Sequence, residues 1–570
     1  MPVAVTTQPT VPRIRYTAAG SRVVTNILGS KYGPFVLVWL IAILARLPFY
    51  LAFRPIWSGD SSGYVLPYVS WKHHMFYLGE RTPVYPLFLW LAQWLSGVPA
   101  SPRLSLSAAY VTVCLQSALD IVAACVLYLT LGKLNIRRNI ALVSALFAAT
   151  LYGLCSLEVN ILNLSLSFAV LVFCMSVFAT VIKRVSDGSR FVSTSLLCGL
   201  VFSCAALLRP ENLVFCTILA TMLLGSWVIS KLRGVTTFCG NRVLVAVLLM
   251  ILSAAPLILA WMTWNYAGIG EFRITTLTGW NRSKTVYNIF DRVEPEDRVL
   301  GQILTSSYLR RNRNGHIVRD HIWQVEQDLF SNQYMYMPIE DPTESPSAFH
   351  MKVDRFFADE LGMIQMPCDR SGQLCPSVLI RRKINIGDYV GRVSWKLIRR
   401  YPSSYLGNVA DNFVRDTFNF RYADSDPAIE GYRDTTVDDG ECVRNESLAK
   451  LLAKAINAQA PLLTVSYVVT LGFVVFAPLV FMSKAAECHV TDMIVTGFAL
   501  ATVGTFIVTC FLSGYNKEYS IPHLGVMVIC TAYAVENWFR IATAMGLRSR
   551  NWQRLFASRI RDSIQDIGSV

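Results

Sequence analysis

YGPFVLVWLIAILARLPFYLAF, residues Tyr32 to Phe53, is the stretch of sequence that decides the fold. It is apolar over almost its whole length, and about 20 apolar residues are enough to cross the hydrocarbon core of a bilayer as a helix. The rest of the chain agrees, because 53% of its 570 residues are hydrophobic and only 16% are charged. This composition excludes a soluble globular protein. The sequence therefore predicts an integral membrane protein.

Similar apolar runs recur along the chain, too often for a single membrane anchor. They predict a polytopic α-helical membrane protein with about ten transmembrane helices. The predicted spans are Tyr32–Phe53, Ala108–Leu131, Asn139–Ser156, Leu162–Ile182, Phe191–Leu208, Asn212–Ser230, Val243–Asn265, Pro461–Met482, Met493–Leu512 and Ser520–Arg540.

One further apolar stretch, Pro83–Val98, decides the topology. If it lies flat in the membrane interface, the basic segments all fall on one side, as the positive-inside rule requires. If it spans, the basic loops Lys133–Arg138 and Lys183–Arg190 lie on the opposite side from the N-terminus. We therefore predict an interfacial helix, 83–98, on the outer face of the membrane. The basic segments are Arg13–Lys31, Lys133–Arg138, Lys183–Arg190, Lys231–Arg242, the loop at Lys484 and the tail Arg540–Arg561.

This topology places both termini in the cytoplasm and the chain in the plasma (inner) membrane. The first helix is then a signal anchor, because no apolar core precedes it. The net charge of +14 is explained by orientation signals, so nucleic-acid binding is not expected.

The same topology predicts how the chain is divided. The long polar stretch is the place for an external domain, of α+β or mostly helical fold. The predicted parts are a cytoplasmic N-terminus (1–31), a membrane module (32–265) with its first external loop (54–107), the external domain (266–460), the last membrane helices (461–540) and a cytoplasmic tail (541–570).

Two cysteines of the external domain, Cys368 and Cys375, bracket a short loop. Their spacing permits a disulfide if the compartment is oxidising, and two free thiols are the alternative. A zinc site is disfavoured because no His pair or CxxC motif accompanies them.

Ionisable residues cluster where the predicted spans meet the outer face. They are Asp60 in the first loop, Glu80 and Arg81 before the interfacial helix, Arg209 to Glu211 at a turn between spans, Lys517 to His523 at the entry to the last span, and, more weakly, Glu158 in another turn. Charges at a membrane face are costly and tend to mark a functional site. Gathered there, they predict an active site for a substrate that is half lipid and half polar.

These residues also carry a family resemblance. Trp57-Ser-Gly-Asp60-Ser-Ser-Gly-Tyr64 with Arg81-Thr-Pro83-Val-Tyr85-Pro86 resembles the first external loop of the GT-C membrane glycosyltransferases. The nearest branch is that of the protein O-mannosyltransferases and the lipid A aminoarabinose transferases. Further landmarks resemble this branch in the same order: Leu207-Leu-Arg209-Pro210-Glu211-Asn, Trp264-Asn265-Tyr266, Tyr401-Pro402-Ser-Ser-Tyr405 and Glu518-Tyr519-Ser-Ile-Pro522.

The resemblance implies an inverting transfer of a sugar from a polyprenyl-phosphate donor to an acceptor outside the cell. Such a reaction needs a carboxylate base and cations for the departing phosphate, which suits Asp60 and Arg209. The expected partners are the polyprenyl-phosphate sugar, an envelope or protein acceptor such as lipid A or a glycan, and the bilayer. The residues predicted to bind the donor phosphate are Arg209, Lys517, Arg81 and His523. The residues predicted to contact the substrate are Tyr64, Glu80, His73, His74, Glu158, Glu211, Asn265 and Tyr519.

Structural alternatives remain open for several of these residues. Asp60 could cap a helix that begins at Ser61, and Arg209 could snorkel to the interface. Lys517 could pair with Glu518. His73 and His74 could be surface residues of an amphipathic stretch.

No cofactor is expected. Relatives with two acids in the first loop can bind a divalent metal, but here Asp60 is followed by Ser61 and Ser62, so a metal is possible but not favoured. The main functional alternative is a transporter or flippase of lipid-linked sugars. It is disfavoured because transporter sites lie near the midplane between paired halves. A peptide-bond or lipid hydrolase is disfavoured by the lack of a Ser or Cys nucleophile with a placed His, or of an HExxH helix.

Overall fold

The described part of the chain is built from α-helices joined by short turns. The structure is a computed structural model, and it describes residues 30, 32–57, 61, 64, 81–97, 104–232, 240–275, 278–283, 285–286, 289, 292–297, 376–417, 442–478, 490–513 and 517–544. Its helices are α1 Gly33–Ala52, α2 Val84–Leu95, α3 Leu106–Lys133, α4 Arg138–Ala149, α5 Tyr152–Glu158, α6 Leu164–Ser186, α7 Val192–Leu208, α8 Asn212–Leu232, α9 Gly240–Ile269, α10 Thr278–Ser283, α11 Pro376–Arg400, α12 Pro402–Thr417, α13 Glu446–Val475, α14 Val490–Ser513 and α15 Leu524–Ala544.

The predicted membrane helices are all present as helices, but the count of ten spans is not confirmed. Among the described residues, six helices are long and apolar enough to cross a membrane, or seven if α4 and α5 form one broken span. Two others, Val192–Leu208 and the apolar part of α8, Asn212–Val228, fall below the length of a full span. The chain is a multi-pass membrane protein of helical fold.

Two predicted spans differ from the observed helices. The span predicted at Asn139–Ser156 breaks between Ala149 and Tyr152, with a bend of 43°. The span predicted from Pro461 begins at Glu446, where the Asn445 side chain accepts a hydrogen bond from the Leu448 amide at 3.0 Å and caps the helix. Proline inside a helix is tolerated in membrane proteins, so Pro461 does not mark an end. The predicted boundary at 460/461 between the external domain and the last membrane helices therefore falls inside α13.

The last predicted span also starts later than expected. Residues Lys517–His523 form a 3-10 helix, and the α-helix begins only at Leu524. Pro522 lies in this 3-10 segment, where its missing N–H and fixed φ favour a tighter turn over the α-helix.

The stretch predicted to lie in the interface forms α2, which is too short to span. At about 1.5 Å per residue, its 12 residues cover about 18 Å, against a hydrocarbon core of about 30 Å. One face of α2 is buried against α3 and the other exposes apolar side chains, of which Trp94 is 68% exposed. Its orientation relative to the membrane stays a prediction.

The main core lies around α6, whose residues are buried on nearly all sides by α3, α7, α14 and α15. Gly199 lies at a close crossing between α7 and α9. A Cβ atom at this position would collide with the Met250 carbonyl and the Ser253 hydroxyl. Small residues at helix contacts are a usual means of close packing in membranes.

A candidate active site at one end of the helix bundle

The chain that follows α1 is held against one end of the bundle. Ile56 forms a bridge with Asn160 in the turn before α6, and the Ser61 hydroxyl donates a hydrogen bond of 2.9 Å to the Ile161 carbonyl. Phe53 forms a second bridge, with Val443 before α13. We call this end, where α1 ends and α6 begins, the site end.

The Leu208 carbonyl, at the end of α7, joins two further segments to the site end. It accepts hydrogen bonds of 3.0 Å from the Thr82 hydroxyl and from the Asn163 amide. Both donors are buried. The segment before α2, the start of α6 and the turn at Arg209 are thereby fixed side by side.

Arg209 occupies the turn between α7 and α8. Its backbone is extended, with φ −147° and ψ 120°, and the residue is 9% exposed. Its Nε donates to a Glu211 carboxylate oxygen at 2.5 Å, which fixes the plane of the guanidinium. Asn212 holds the turn from behind, with hydrogen bonds of 3.0 Å to the Ser167 hydroxyl and the Ala205 carbonyl.

His523 reaches the same region from the 3-10 helix before α15. Its ring is buried, 5.4 Å from the Phe215 ring and 5.0 Å from the Phe506 ring between centroids. Burial, with the positive charge of Arg209, lowers the pKa of His523 to about 3. A neutral imidazole offers a phosphate a hydrogen bond and not a charge. Lys517 and Tyr519 lie in the same 3-10 helix, and their substrate contacts stay predictions.

Tyr64 and Arg81 meet at the site end. The Arg81 guanidinium lies 4.6 Å from the centroid of the Tyr64 ring, which packs edge-on against Tyr85 at 4.8 Å. The Tyr85 hydroxyl donates to Gln116 at 2.7 Å, and the Gln116 amide donates to the Glu158 carbonyl at 2.8 Å. A continuous chain of contacts thus runs from the predicted phosphate ligand Arg81 into the bundle.

The Glu158 side chain has a partner that the sequence argument missed. Arg46 of α1 forms a bidentate pair with it, through Nε at 2.8 Å and Nη2 at 2.6 Å, and both residues are buried. The Ser117 hydroxyl donates to the same carboxylate at 2.5 Å, and Asp120 interacts with both charges. A charged residue inside an apolar run was the available signal for Arg46. Substrate contact by Glu158 stays a prediction, and the carboxylate has this structural role.

Asn265 lies at the end of α9, where the chain leaves the bundle. It is buried, and its amide donates to the Arg273 carbonyl at 2.7 Å. Arg273 in turn forms a bidentate pair with Asp388 of α11, at 2.7 and 3.0 Å. This hydrogen-bonded pair raises the pKa of Arg273. Asn265 therefore anchors the connection between α9 and α11.

Several predicted site residues lie outside the described part of the chain. They are Asp60, His73, His74, Glu80, Cys368 and Cys375. Within the described residues, no group of three or more His, Cys, Asp or Glu side chains could hold a metal ion.

Fold and site together define a multi-pass helical membrane protein with ionisable residues gathered at one end of its bundle. No family model and no curated protein matches the chain. Similarity is found among solved structures, three of which follow.

The archaeal oligosaccharyltransferase AglB from Archaeoglobus fulgidus, in complex with an inhibitory peptide and a dolichol-phosphate, is similar at a TM-score of 0.45 and 12% identity, over 96% of this chain and 55% of that one. ArnT from Cupriavidus metallidurans, bound to undecaprenyl phosphate, is similar at a TM-score of 0.30 and 12% identity, over 88% of this chain and 79% of that one. The S. cerevisiae protein O-mannosyltransferase Pmt1-Pmt2 complex, bound to the sugar donor, is similar at a TM-score of 0.31 and 13% identity. The similarity covers 45% of this chain and 35% of that one. The chain spans about half the length of AglB.

Proposed function

We propose that the protein is an inverting glycosyltransferase that moves a sugar from a polyprenyl-phosphate donor to an acceptor hydroxyl or amine at the site end. One observation carries the proposal. Thr82 and Asn163 both bond to the Leu208 carbonyl, directly before Arg209, so that the end of the first loop and the arginine turn share one end of an apolar bundle. A polyprenyl tail suits the apolar helices, and a phosphate suits the polar end.

The proposed reaction assigns the chemistry to few groups. Asp60 takes the proton of the acceptor while the acceptor atom bonds to the anomeric carbon of the sugar. The bond from this carbon to the phosphate oxygen breaks, and its electron pair stays on the phosphate. Arg209 stabilises the developing charge, since a guanidinium matches a phosphate in geometry. Glu211 holds the guanidinium at 2.5 Å through Nε, which keeps it oriented before the donor arrives.

The remaining residues position the donor in this proposal. His523 provides a neutral hydrogen-bonding group near Arg209, and Arg81 is a second cation, held against the Tyr64 ring. We also propose that no divalent metal takes part. Chelation with EDTA is then expected to leave the turnover of the purified protein unchanged, and a loss that Mg²⁺ or Mn²⁺ restores would overturn this part.

The experiment is sugar transfer by the purified protein from radiolabelled hexosyl and pentosyl donors on dolichol or undecaprenyl phosphate. Acceptors are a hydroxyl-rich peptide, lipid A and an envelope glycan. We expect transfer from at least one donor, and the donor preference distinguishes a hexosyltransferase from a pentosyltransferase. Arg209→Gln is expected to raise the donor KM and to lower kcat, whereas Arg190→Gln at the opposite end of the bundle changes neither.

The flippase alternative has its own readout. The protein is reconstituted in liposomes that carry the same lipid-linked sugars, and the accessible fraction of the sugar is followed. Translocation without transfer to any acceptor would contradict the proposal.

A further inference from the structure

A surface rich in arginine lies at the C-terminal end of α11, outside the proposed active site. The guanidinium carbon of Arg399 lies 5.2 Å from the centroid of a Trp395 ring, and that of Arg282 lies 5.4 Å from it. Trp395 is 45% exposed. The basic–aromatic surface, as we call it, consists of Arg282, Arg292, Trp395, Arg399, Arg400 and Tyr401.

Its second half is centred on Tyr401. Arg292 lies 5.5 Å and Arg400 lies 5.9 Å from the centroid of this ring. Guanidinium groups at such distances from an aromatic face are held by cation–π attraction and keep their hydrogen-bond donors available at the ring edge. Each of the two aromatic rings therefore holds two arginines, and the two groups adjoin in sequence through Arg399 and Arg400.

The surface carries an excess of positive charge. Arg400 pairs with Glu294 at 3.0 Å, with 58% of the arginine side chain exposed. Within the described part of the chain, no carboxylate pairs with Arg282, Arg292 or Arg399. Like charges gathered without counter-ions repel one another, which favours an anionic ligand.

A purely local explanation covers only half of these arginines. Arg399 and Arg400 lie in the last turn of α11, where cations interact favourably with the helix dipole. Arg282 and Arg292 come from other segments of the chain, so that this effect does not account for them.

The position of the surface indicates the kind of anion. The Tyr405 hydroxyl donates at 2.6 Å to the Phe511 carbonyl, beside the end of the candidate span Val490–Leu512. The Tyr405 amide donates to the Tyr401 carbonyl one helical turn away. The surface thus lies level with the end of a membrane span, where lipid headgroups lie and where Trp and Tyr are enriched.

We propose that the basic–aromatic surface binds the phosphate headgroups of anionic phospholipids in the leaflet at the site end. Arginine binds phosphate through paired N–H groups, and basic clusters beside a membrane attract anionic lipids. This binding does not depend on the proposed glycosyl transfer. Its role is to hold α11 and α12 against the membrane surface.

The test is 19F NMR of the 5-fluorotryptophan-labelled full chain in phosphatidylcholine nanodiscs with increasing phosphatidylglycerol. The resonance of Trp395 is assigned with Trp395→Phe. We expect it to shift and to saturate, while the resonance of exposed Trp94, against which no arginine of the described residues stacks, moves little. In the double variant Arg282→Gln with Arg399→Gln, the midpoint of the Trp395 titration is expected at about tenfold more phosphatidylglycerol.

Two controls keep the test decisive. Arg190→Gln with Arg242→Gln removes the same charge at the opposite end of the bundle and is expected to leave the Trp395 titration unchanged. Arg399→Gln alone is used if the double variant does not fold, with a smaller shift of the midpoint in the same direction. A Trp395 resonance that ignores phosphatidylglycerol, or that shifts equally in the arginine variants, would overturn the proposal. A Trp395 resonance that shifts only when an acidic peptide or polysaccharide is added to pure phosphatidylcholine nanodiscs would also overturn the proposal, since it would indicate a macromolecular partner.

Discussion

His523 is a buried residue whose ionisation couples the proposed site to stability. Its pKa is about 3 in the folded protein, against about 6.5 in an unfolded chain. Between these values the unfolded state binds the extra proton, so stability is lost as the pH falls from about 6.5 towards 3.

The prediction compares the parent with His523→Gln. The parent is expected to lose about 2 kcal/mol more than the variant between pH 7.5 and pH 5. Thermal unfolding in detergent at a series of pH values measures this difference. His489→Gln serves as the control. If the stability of His523→Gln depends on pH as that of the parent does, the imidazole is not buried as described.

The Arg46–Glu158 pair makes a second prediction at the level of single residues. Removing one partner of a buried ion pair leaves an uncompensated charge and costs about 3–5 kcal/mol. Arg46→Met is therefore expected to lower the melting temperature strongly, and adding Glu158→Gln to restore part of it. Arg190→Met, an exposed arginine, is the control. A melting temperature of Arg46→Met equal to that of the control would contradict a buried pair.

At the level of single residues, the sequence indicated landmarks at helix ends, whose functional roles stay predictions, and missed partners. Arg209 was predicted because a charge at a membrane face is costly, and Tyr64 because it belongs to the first-loop landmark. The structure brings their segments to one end of the bundle. Arg46 was missed because its partner, Glu158, is distant in sequence, and pairs between distant residues form only on folding. For the same reason the role of Glu158 as a structural carboxylate was not predicted.

At the scale of elements, the crossing of α7 and α9 makes a further prediction. Gly199→Ala places a methyl group against the Met250 backbone, which cannot move without shifting the helix. We expect a loss of about 1–3 kcal/mol, as for other overpacked sites. Gly225→Ala in α8, where a Cβ would meet nothing within 4 Å, is the matched control and is expected to be neutral or slightly stabilising. Thermal unfolding of the two variants measures the difference, and equal melting temperatures would contradict the close crossing.

The helices themselves were predictable from hydropathy, and their ends were not. Hydropathy reports burial in lipid, so it located every predicted apolar helix. Hydropathy does not report capping. The predicted start at Pro461 therefore missed the true start of α13 at Glu446, which Asn445 caps. The break between α4 and α5 was also hidden, since Thr150 and Leu151 continue the apolar run.

At the scale of the whole molecule, the order of the landmarks was informative because each falls at the end of a helix. An ordered series of helix ends on one side of a bundle is a topological property, and hydropathy with charge asymmetry predicts it. The fold of the predicted external domain is a different case. It depends on packing between segments without a strong period, and single-sequence patterns do not determine such packing.

The central claim is that sugar transfer takes place at the site end with Asp60 as the base. Its most direct measurement is the turnover of purified Asp60→Asn with the preferred polyprenyl-phosphate sugar, beside the parent and the control Asp187→Asn at the opposite end of the bundle. Since a general base contributes about 10²–10⁴ in rate, kcat is expected to fall at least about a hundredfold while the donor KM stays near that of the parent. A folded Asp60→Asn protein with the turnover of the parent would contradict the account.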